Sequence, residues 1–440
     1  MTGPSRPLSR RGFIALGGAA GLGLAGCAQA IPLVDTGPAL AADGYQGPPV
    51  ELSYWTGFTG GDGPTMRAMV DDFNASQDLI SVQMNTVQWA QYYQRVAAAV
   101  HAGQGPDVGA LQIDQIATQA ARQTLNPLDD VFTELGVDAE DYPEEVWDRG
   151  IFRDQRYGVP LDVHSLATYS NTGLLESAGL GSVPTDGDDY IAYLAEAAAA
   201  GVENPFWMPN RWPAHLIFLS LLWQFGGEPY ATDGTQATFD SDAGVQALTW
   251  MRSAVDEGLS PENVAVDSQY TAFKDGRGAA TWDGIWQIND LLTTAPDLEW
   301  SMSPVPTIGP DPAVWASSHQ MVLFRHRSPD DDRLQAGKAF IRYILENSER
   351  WAAAGMIPAG EEARQQPEFL DSPQAAIADV VPTMRFLPPV PALGDVQAQT
   401  LELAVSDTVL GRSEPAEALS GAAARATSLM EANLAKFGRG

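Results

Sequence analysis

Val50-Glu51-Leu52-Ser53-Tyr54-Trp55 alternates apolar and polar positions, the period of a half-buried strand. A glycine-rich loop, Gly57 to Pro64, interrupts it, and Pro64 suits the first turn of a helix. Met66, Met69, Val70 and Phe73 then recur at helical spacing. Ile80-Val82-Met84 alternates as a second strand, and residues 89–102 read as a helix broken by Gly103 to Pro106. Val108 to Leu111 is a third strand, followed by a helix over 113–123. Farther on, Tyr157-Gly158-Val159-Pro160-Leu161-Asp162 leads into a strand over 167–171 that crosses to a second lobe. Residues 186–300 are helix-rich with aromatic patches. Met321 to Phe324 is a strand, and 332–351 a helix with Leu334, Phe340, Ile344 and Trp351 inward. Strands alternating with helices predict an α/β fold with a largely parallel sheet.

The first residues follow a different pattern. Ser9-Arg10-Arg11-Gly12-Phe13 is a paired-arginine motif, followed by a short apolar run rich in glycine and alanine that ends in Leu24-Ala25-Gly26-Cys27. A basic stretch, a short apolar stretch and a small-residue processing site make an export signal. The run is too short to span a bilayer, which takes roughly 20 apolar residues. It resembles a twin-arginine lipoprotein signal, with Arg10 and Arg11 addressing export and Cys27 carrying the acyl chains. Residues 28 to 48, small, polar and proline-containing, read as a flexible linker.

Cys27 is the one cysteine in 440 residues, so no internal disulfide exists. The length suits two or three domains at ~150 residues each. Beyond Cys27 the longest apolar run, Leu216 to Trp223, is the length of a buried helix and too short for a membrane span. With 25 basic and 56 acidic residues the formal net charge is −31. Loss of the leader would remove three arginines and no acid. Such a surface repels nucleic acid and anionic lipid, so neither is expected as a partner.

The glycine loop at 57–63 lacks the Gly-Lys-Ser/Thr of a phosphate cradle and the spacing of a dinucleotide fingerprint. Its helix start would still offer backbone N–H groups to an oxygen-rich ligand. The five histidines are scattered, no metal motif or Gly-x-Ser-x-Gly elbow is present, and no cofactor is expected. Asp162 and Asp283 are the pair an exported glycoside hydrolase would use. Twelve tryptophans carry more information. Indole faces beside short polar side chains suit a pyranose, whose C–H face stacks on the ring while Asp, Asn, Gln and His bond its hydroxyls. Trp282 and Trp315, flanked by glycine, serine and polar residues, are candidates for that role. Trp147, Trp250, Trp300 and Trp351 lie at amphipathic helix spacing and belong to the core.

Leu52-Ser53-Tyr54-Trp55 with the Gly60-to-Pro64 loop, Gly105-Pro106-Asp107-Val108, and Tyr157 to Asp162 followed by Tyr169 to Leu175 occur in a characteristic order. Phe273 to Trp286, Trp315 to Gln320, and a helix over 335–351 ending near Ile357-Pro358-Ala359 complete it. In this order, behind a lipoprotein signal, the chain resembles the extracellular solute-binding proteins of ABC importers, the family that includes maltose-binding protein. The resemblance implies a two-lobe α/β fold of the periplasmic-binding-protein kind, with the chain crossing between lobes at hinges and a sugar held in the cleft. Residues 49–164 with 316–362 would form one lobe, and 165–315 with 363–440 a helix-rich second. The implied ligand contacts are Trp55, Asp62, Gln112, Asp114, Asp162, His164, Trp282, Asp283, Trp286, Trp315, His319, Gln320 and Arg385. Asp107 is expected to be a turn or cap residue. The expected protein is a lipid-anchored monomer that catalyses nothing, captures a carbohydrate by lobe closure and hands it to the importer's permease. A receptor of the same fold for a glycerophosphodiester or polyol, and a glycoside hydrolase, are the rival expectations.

Overall fold

The computed structural model describes residues 39–41, 44–128 and 130–438. Arg10, Arg11 and Cys27 lie outside them. Two six-stranded sheets organise the described chain. In the first, Val50–Thr56 is flanked by Ile80–Thr86 and Val108–Gln112, both parallel to it, as β-α-β connections demand. His319–Phe324 then adds antiparallel to Val108–Gln112, and the short strands Leu125–Asn126 and Val159–Pro160 pair with His319–Phe324. The expected parallel sheet thus extends over three strands only.

The second sheet is built on one long buried strand, Asp162–Asn171, which begins five residues before the expected start. Ala280–Gly284, Trp300–Ser303, Val314–Ser317 and Ile357–Pro358 all pair with it antiparallel. A strand paired along its whole length and covered on both faces reads as a continuous buried run. Under this sheet lies the helix Ala214–Gln224, buried at every position. Asp242–Asp256 and Leu401–Val409 pack on it, and Pro415–Phe437 packs on both of those. Beside the first sheet, Asp331–Glu346 seats Phe340 against Tyr54 and Phe73 at centroid separations of 5.3 and 5.1 Å. That helix ends before Trp351, which sits on a 3-10 segment, Ser348–Ala354. Trp351 is fully buried, whereas Trp147, Trp250 and Trp300 pack partly buried against the core. No helix among the described residues is long and apolar enough to cross a membrane.

The chain passes between the sheets at closely spaced points. It leaves the first after Pro160 and enters the second at Asp162; it returns between Ser317 and His319. Leu161 N donates to His319 O at 2.8 Å, and Ala359 N donates to Leu161 O at 3.1 Å. These backbone bonds bind the crossing segments to one another.

Two expectations need correction. The linker does not run flexibly to residue 48. Leu40 and Tyr45 are buried, Tyr45 Oη donates to Pro48 O at 2.7 Å, and Arg342 donates to Ala41 O at 3.3 Å. A leucine and a tyrosine able to bury apolar area dock the segment despite its small-residue neighbours. The glycine loop, expected to face a ligand, is tied into the protein instead. Asp62 Oδ1 accepts from Gly60 N at 3.1 Å, and Asn289 bonds Gly61 O. Gly57 has a packing role, since a Cβ there would fall inside the Trp89 ring.

Candidate ligand-binding site

A cleft of about 700 Å³ opens where the two sheets face each other. One wall forms where the strand Val108–Gln112 runs directly into the helix Ile113–Ala121, presenting Gln112, Asp114 and Gln115. Tyr93, on the helix Trp89–Ala102, lies beside them, and its hydroxyl accepts from Gln112 N at 3.2 Å. The opposite wall carries Trp212 and His215 at the start of the Ala214–Gln224 helix, and Trp315 on the second sheet. Asp395 and Glu402, from the C-terminal helices, form a third side.

The aromatic rings form a linked set. Trp212, 40 % exposed, leans on His215 at 5.5 Å and on Trp286 at 5.9 Å. Trp286 meets Trp315 edge-on at 6.3 Å. Trp315 is held from behind by its backbone N, which donates to Ser220 Oγ at 2.9 Å. The polar groups keep spare capacity. Asp114 accepts from Gln115 Nε2 at 3.0 Å, and burial, with the Asp395 charge adding to it, pushes its carboxyl up from the usual range. Glu402 is also pushed up by burial, with Arg211 opposing. Burial pushes His215 down to about 4, so the ring is neutral near pH 7 and its 3.9 Å approach to Glu402 is not an ion pair there. Arg122 approaches Asp395 at 3.9 Å. The walls therefore present flat apolar rings beside carboxylate, amide and neutral imidazole groups, a set suited to a polyhydroxylated, largely uncharged ligand.

Of the residues expected to bind ligand, Gln112, Asp114 and Trp315 line this cleft. Trp286 stands behind the rings that do. The others are placed elsewhere. Trp282 is fully buried, stacked on Trp250 at 5.2 Å and packed on Phe206 and Tyr190, each at 5.7 Å. Its place on the fully buried strand Ala280–Gly284 outweighs its polar neighbours in sequence. Asp283 is buried on the same strand, accepting from Gly284 N at 2.7 Å, Gln269 Nε2 at 3.1 Å and Gln287 Nε2 at 3.4 Å, and burial pushes its carboxyl up to about 6. Trp55 is half-buried against Tyr92, its indole N–H bonded to Ser53 Oγ. Asp62 caps its own loop. Gln320 is buried and donates to Ser318 Oγ at 3.0 Å. Arg385 is exposed beside a separate hollow with Trp223 and Asp311. Asp107 is a buried brace, accepting from Ser53 N at 2.7 Å and pairing with Arg333 at 3.0 Å.

Asp162, His164 and His319 are brought together, but behind the cleft. Asp162 Oδ1 accepts from His164 Nδ1 at 3.0 Å and His319 N at 2.9 Å; Oδ2 accepts from His319 Nδ1 and Trp351 Nε1, each at 2.7 Å. Burial pushes this carboxyl up, but His319 and His164 outweigh it and hold it well below the carboxylate range. The ligand atoms of the three residues lie within 4.8 Å, close enough for a metal ion, and the sequence spacing had not revealed this. The two imidazoles stack at 4.4 Å, however, and each Nδ1 addresses a different oxygen of one carboxylate. Four N–H donors already fill that carboxylate, a hydrogen-bonded arrangement rather than three lone pairs converging on one point. Asp162 and Asp283 belong to separate networks and neither lines the cleft, so they do not form an acid–base pair across a glycosidic bond.

The sequence reading missed Trp212, Tyr93, His215, Asp395 and Glu402. Tyr93 lies in an amphipathic helix, where helical spacing hides it among core aromatics. Trp212 stands between Arg211 and Pro213, just before the longest apolar run beyond Cys27, a loop setting that would have distinguished it.

The family model for bacterial extracellular solute-binding proteins matches residues 59–351, and the chain belongs to that family of binding proteins. A Brucella abortus (strain 2308) protein named as a binding protein is 22 % identical over 382 residues, covering 84 % of this chain and 90 % of its own. The cyclic alpha-maltosyl-1,6-maltose binding protein of Arthrobacter globiformis superposes with a TM-score of 0.74 at 20 % identity, covering 87 % of this chain and all of its own. An ABC transporter solute-binding protein of Thermotoga lettingae, bound with alpha-D-tagatose, gives 0.76 at 20 % identity, over 86 % of this chain and 99 % of its own. The two-lobe α/β fold is that of these proteins, and the family is one of extracytoplasmic receptors.

Proposed function

We propose that this chain is the carbohydrate receptor of an ABC importer, closing its two lobes on a mono- or oligosaccharide and presenting it to the permease. The observation that carries the reading is the cleft of about 700 Å³, in which Trp212, Trp315 and Tyr93 stand beside Gln112, Asp114 and Gln115. Its volume is that of a small-ligand site, and its rings and acceptors match the two faces of a sugar. The binding of a cyclic maltosyl-maltose by one structural relative and of tagatose by another agrees with this class. A phosphodiester fits less well. Asp114, Asp395 and Glu402 face Arg122 and Lys436, and Arg122 already approaches Asp395. The protein acts by binding and catalyses no reaction. It works as a monomer, exported through Arg10-Arg11 and held at the membrane by acyl chains on Cys27.

A thermal-shift series with mono- to tetrasaccharides tests the reading. A ligand at 100 times its Kd stabilises by ~2.7 kcal/mol, so a cognate sugar raises the melting temperature visibly. A flat response to every saccharide, with a shift for glycerophosphodiesters, would replace the carbohydrate by the rival solute. For the anchor, Cys27→Ala should release the protein from washed membranes with its fold intact.

A further inference from the structure

The hydrogen-bonded group behind the cleft lies where the chain changes sheets. Asp162 is the first residue of the second-sheet strand after one crossing. His319 opens the first-sheet strand after the return crossing. Trp351 lies on the segment between the helix Asp331–Glu346, which packs on the first sheet, and the strand Ile357–Pro358, which pairs with Asp162 and Val163. One carboxylate, buried and accepting four N–H bonds, thus ties together all three connections between the sheets.

Rings lead from this carboxylate to both cleft walls. His319 stacks on Trp89 at 5.4 Å and 12°, and Trp89 stacks on Tyr93 at 5.6 Å, which lines the first wall. On the other side His164 lies 6.2 Å from Trp315 and 6.0 Å from Trp286, which touches Trp212. His164 belongs to a second-sheet strand and His319 to a first-sheet strand, so any rotation of one lobe on the other turns these stacked rings about the carboxylate they share.

We propose that Asp162 is the hinge pin: a positioning residue that fixes the angle between the lobes and through it the separation of Tyr93 from Trp315 and Trp212. The pin rests on the two-sheet receptor reading, but its effect is present without ligand and is read in the ligand-free state. Charge-assisted hydrogen bonds to one buried acceptor are short and directional, which makes them a stiff joint. Replacing the carboxylate by an amide turns one acceptor into a donor facing N–H groups, and the joint loosens.

The full chain carrying Cys27→Ser is free of cysteine, so Ser81→Cys and Glu257→Cys introduce the two thiols for spin labels, at exposed positions on the first-sheet strand Ile80–Thr86 and on the second lobe. Pulsed dipolar distances without ligand should give one narrow distribution, and Asp162→Asn should widen it at least twofold. Trp351→Phe, which keeps a ring in the core and removes one donor, should widen it less; it carries the test alone should Asp162→Asn not fold. Trp282→Ala is the control for lost stability without a lost pin, and its distribution should stay narrow. An unchanged width in Asp162→Asn, or in Trp351→Phe when only that variant folds, overturns the proposal. So does a Zn²⁺-dependent rise in melting temperature that Asp162→Asn abolishes, because the group would then be a metal centre. A maltotriose arm reports separately on the receptor: no shift in the wild-type distribution, and none in the saccharide series, counts against the carbohydrate and leaves the ligand-free comparison intact.

Discussion

Trp212→Ala is the most direct probe of the cleft. At 40 % exposure the indole leaves roughly 100 Å² open, given the 150–250 Å² that a large aromatic buries when fully covered. A sugar unit covering about half of that removes ~50 Å² from water, worth ~1.3 kcal/mol at 25 cal/mol per Å². Stacking geometry adds ~0.5–1.5 kcal/mol beyond area. The variant should therefore lose about 2–3 kcal/mol of binding free energy, a rise in Kd of roughly 30- to 150-fold. Its fold should survive. The ring's aromatic partners are His215 and Trp286, and it stands two residues ahead of the buried helix Ala214–Gln224, 40 % exposed. A loss of ~1 kcal/mol would move the melting temperature by about 2 °C or less in a chain of this length. Calorimetric titration with the saccharide identified by thermal shift, and a melting curve on the same preparation, give both numbers. An affinity within threefold of wild type would refute the assignment of Trp212 as a sugar platform. So would a fall in melting temperature large enough to account for the lost binding.

Trp282→Ala should behave oppositely. Its ring is fully enclosed by Trp250, Phe206 and Tyr190, and truncating such a core aromatic costs ~3–5 kcal/mol of stability in denaturant melts while affinity in the folded fraction stays unchanged. Asp283→Asn should change the pH profile of stability. A buried carboxyl pushed up to about 6 keeps its proton in the fold after the unfolded chain has released its own near 3.8, so wild-type stability falls as pH rises from about 4 to 6 and then levels. The amide has no such titration, so urea midpoints of the variant should decline less across that window than those of the wild type; a parallel decline in both proteins would argue against the buried titration.

The order of elements was legible because strand alternation and helical spacing are local, and the first three strands with their helices lie where that pattern put them. The second sheet was less legible. Asp162–Asn171 is buried on both faces, so its first half has no alternation to mark where the strand begins. Several expected contacts lie one layer behind the cleft. Asp162, Trp282 and Asp283 look like sugar contacts by residue type, but each is saturated or enclosed by partners remote in sequence: Trp351 on Asp162, Trp250 on Trp282 and Gln269 on Asp283. Residue type shows that a polar group needs a partner; only the fold shows whether the protein itself supplies it. Asp395 and Glu402 escaped notice for the converse reason. They sit on ordinary amphipathic helices, and only the packing of those helices beside the second sheet turns them toward a cleft.

That distinction between filled and unfilled acceptors leads to Asp114. Its carboxylate lies at the start of the Ile113–Ala121 helix, on the cleft wall, and accepts one side-chain bond, from Gln115 at 3.0 Å. Asp162, by contrast, accepts four bonds and has nothing left to offer a ligand. A sugar hydroxyl donating to Asp114 makes a bond to a charged group, worth ~1.5–3 kcal/mol, so Asp114→Asn should weaken binding by roughly 10- to 150-fold. The pH dependence separates this from a change of shape. Burial holds the free carboxyl above its ordinary value, whereas hydroxyl donors favour the charged form, so binding must expel a proton wherever the free group still carries one. Wild-type affinity should then rise with pH through the acid range and level once the free carboxyl is ionised, while the asparagine variant, with nothing to lose, shows no such rise. Equal pH profiles for the two proteins would mean that the ligand does not reach this carboxylate, and that the wall formed by Gln112, Asp114 and Gln115 is not where the sugar is held.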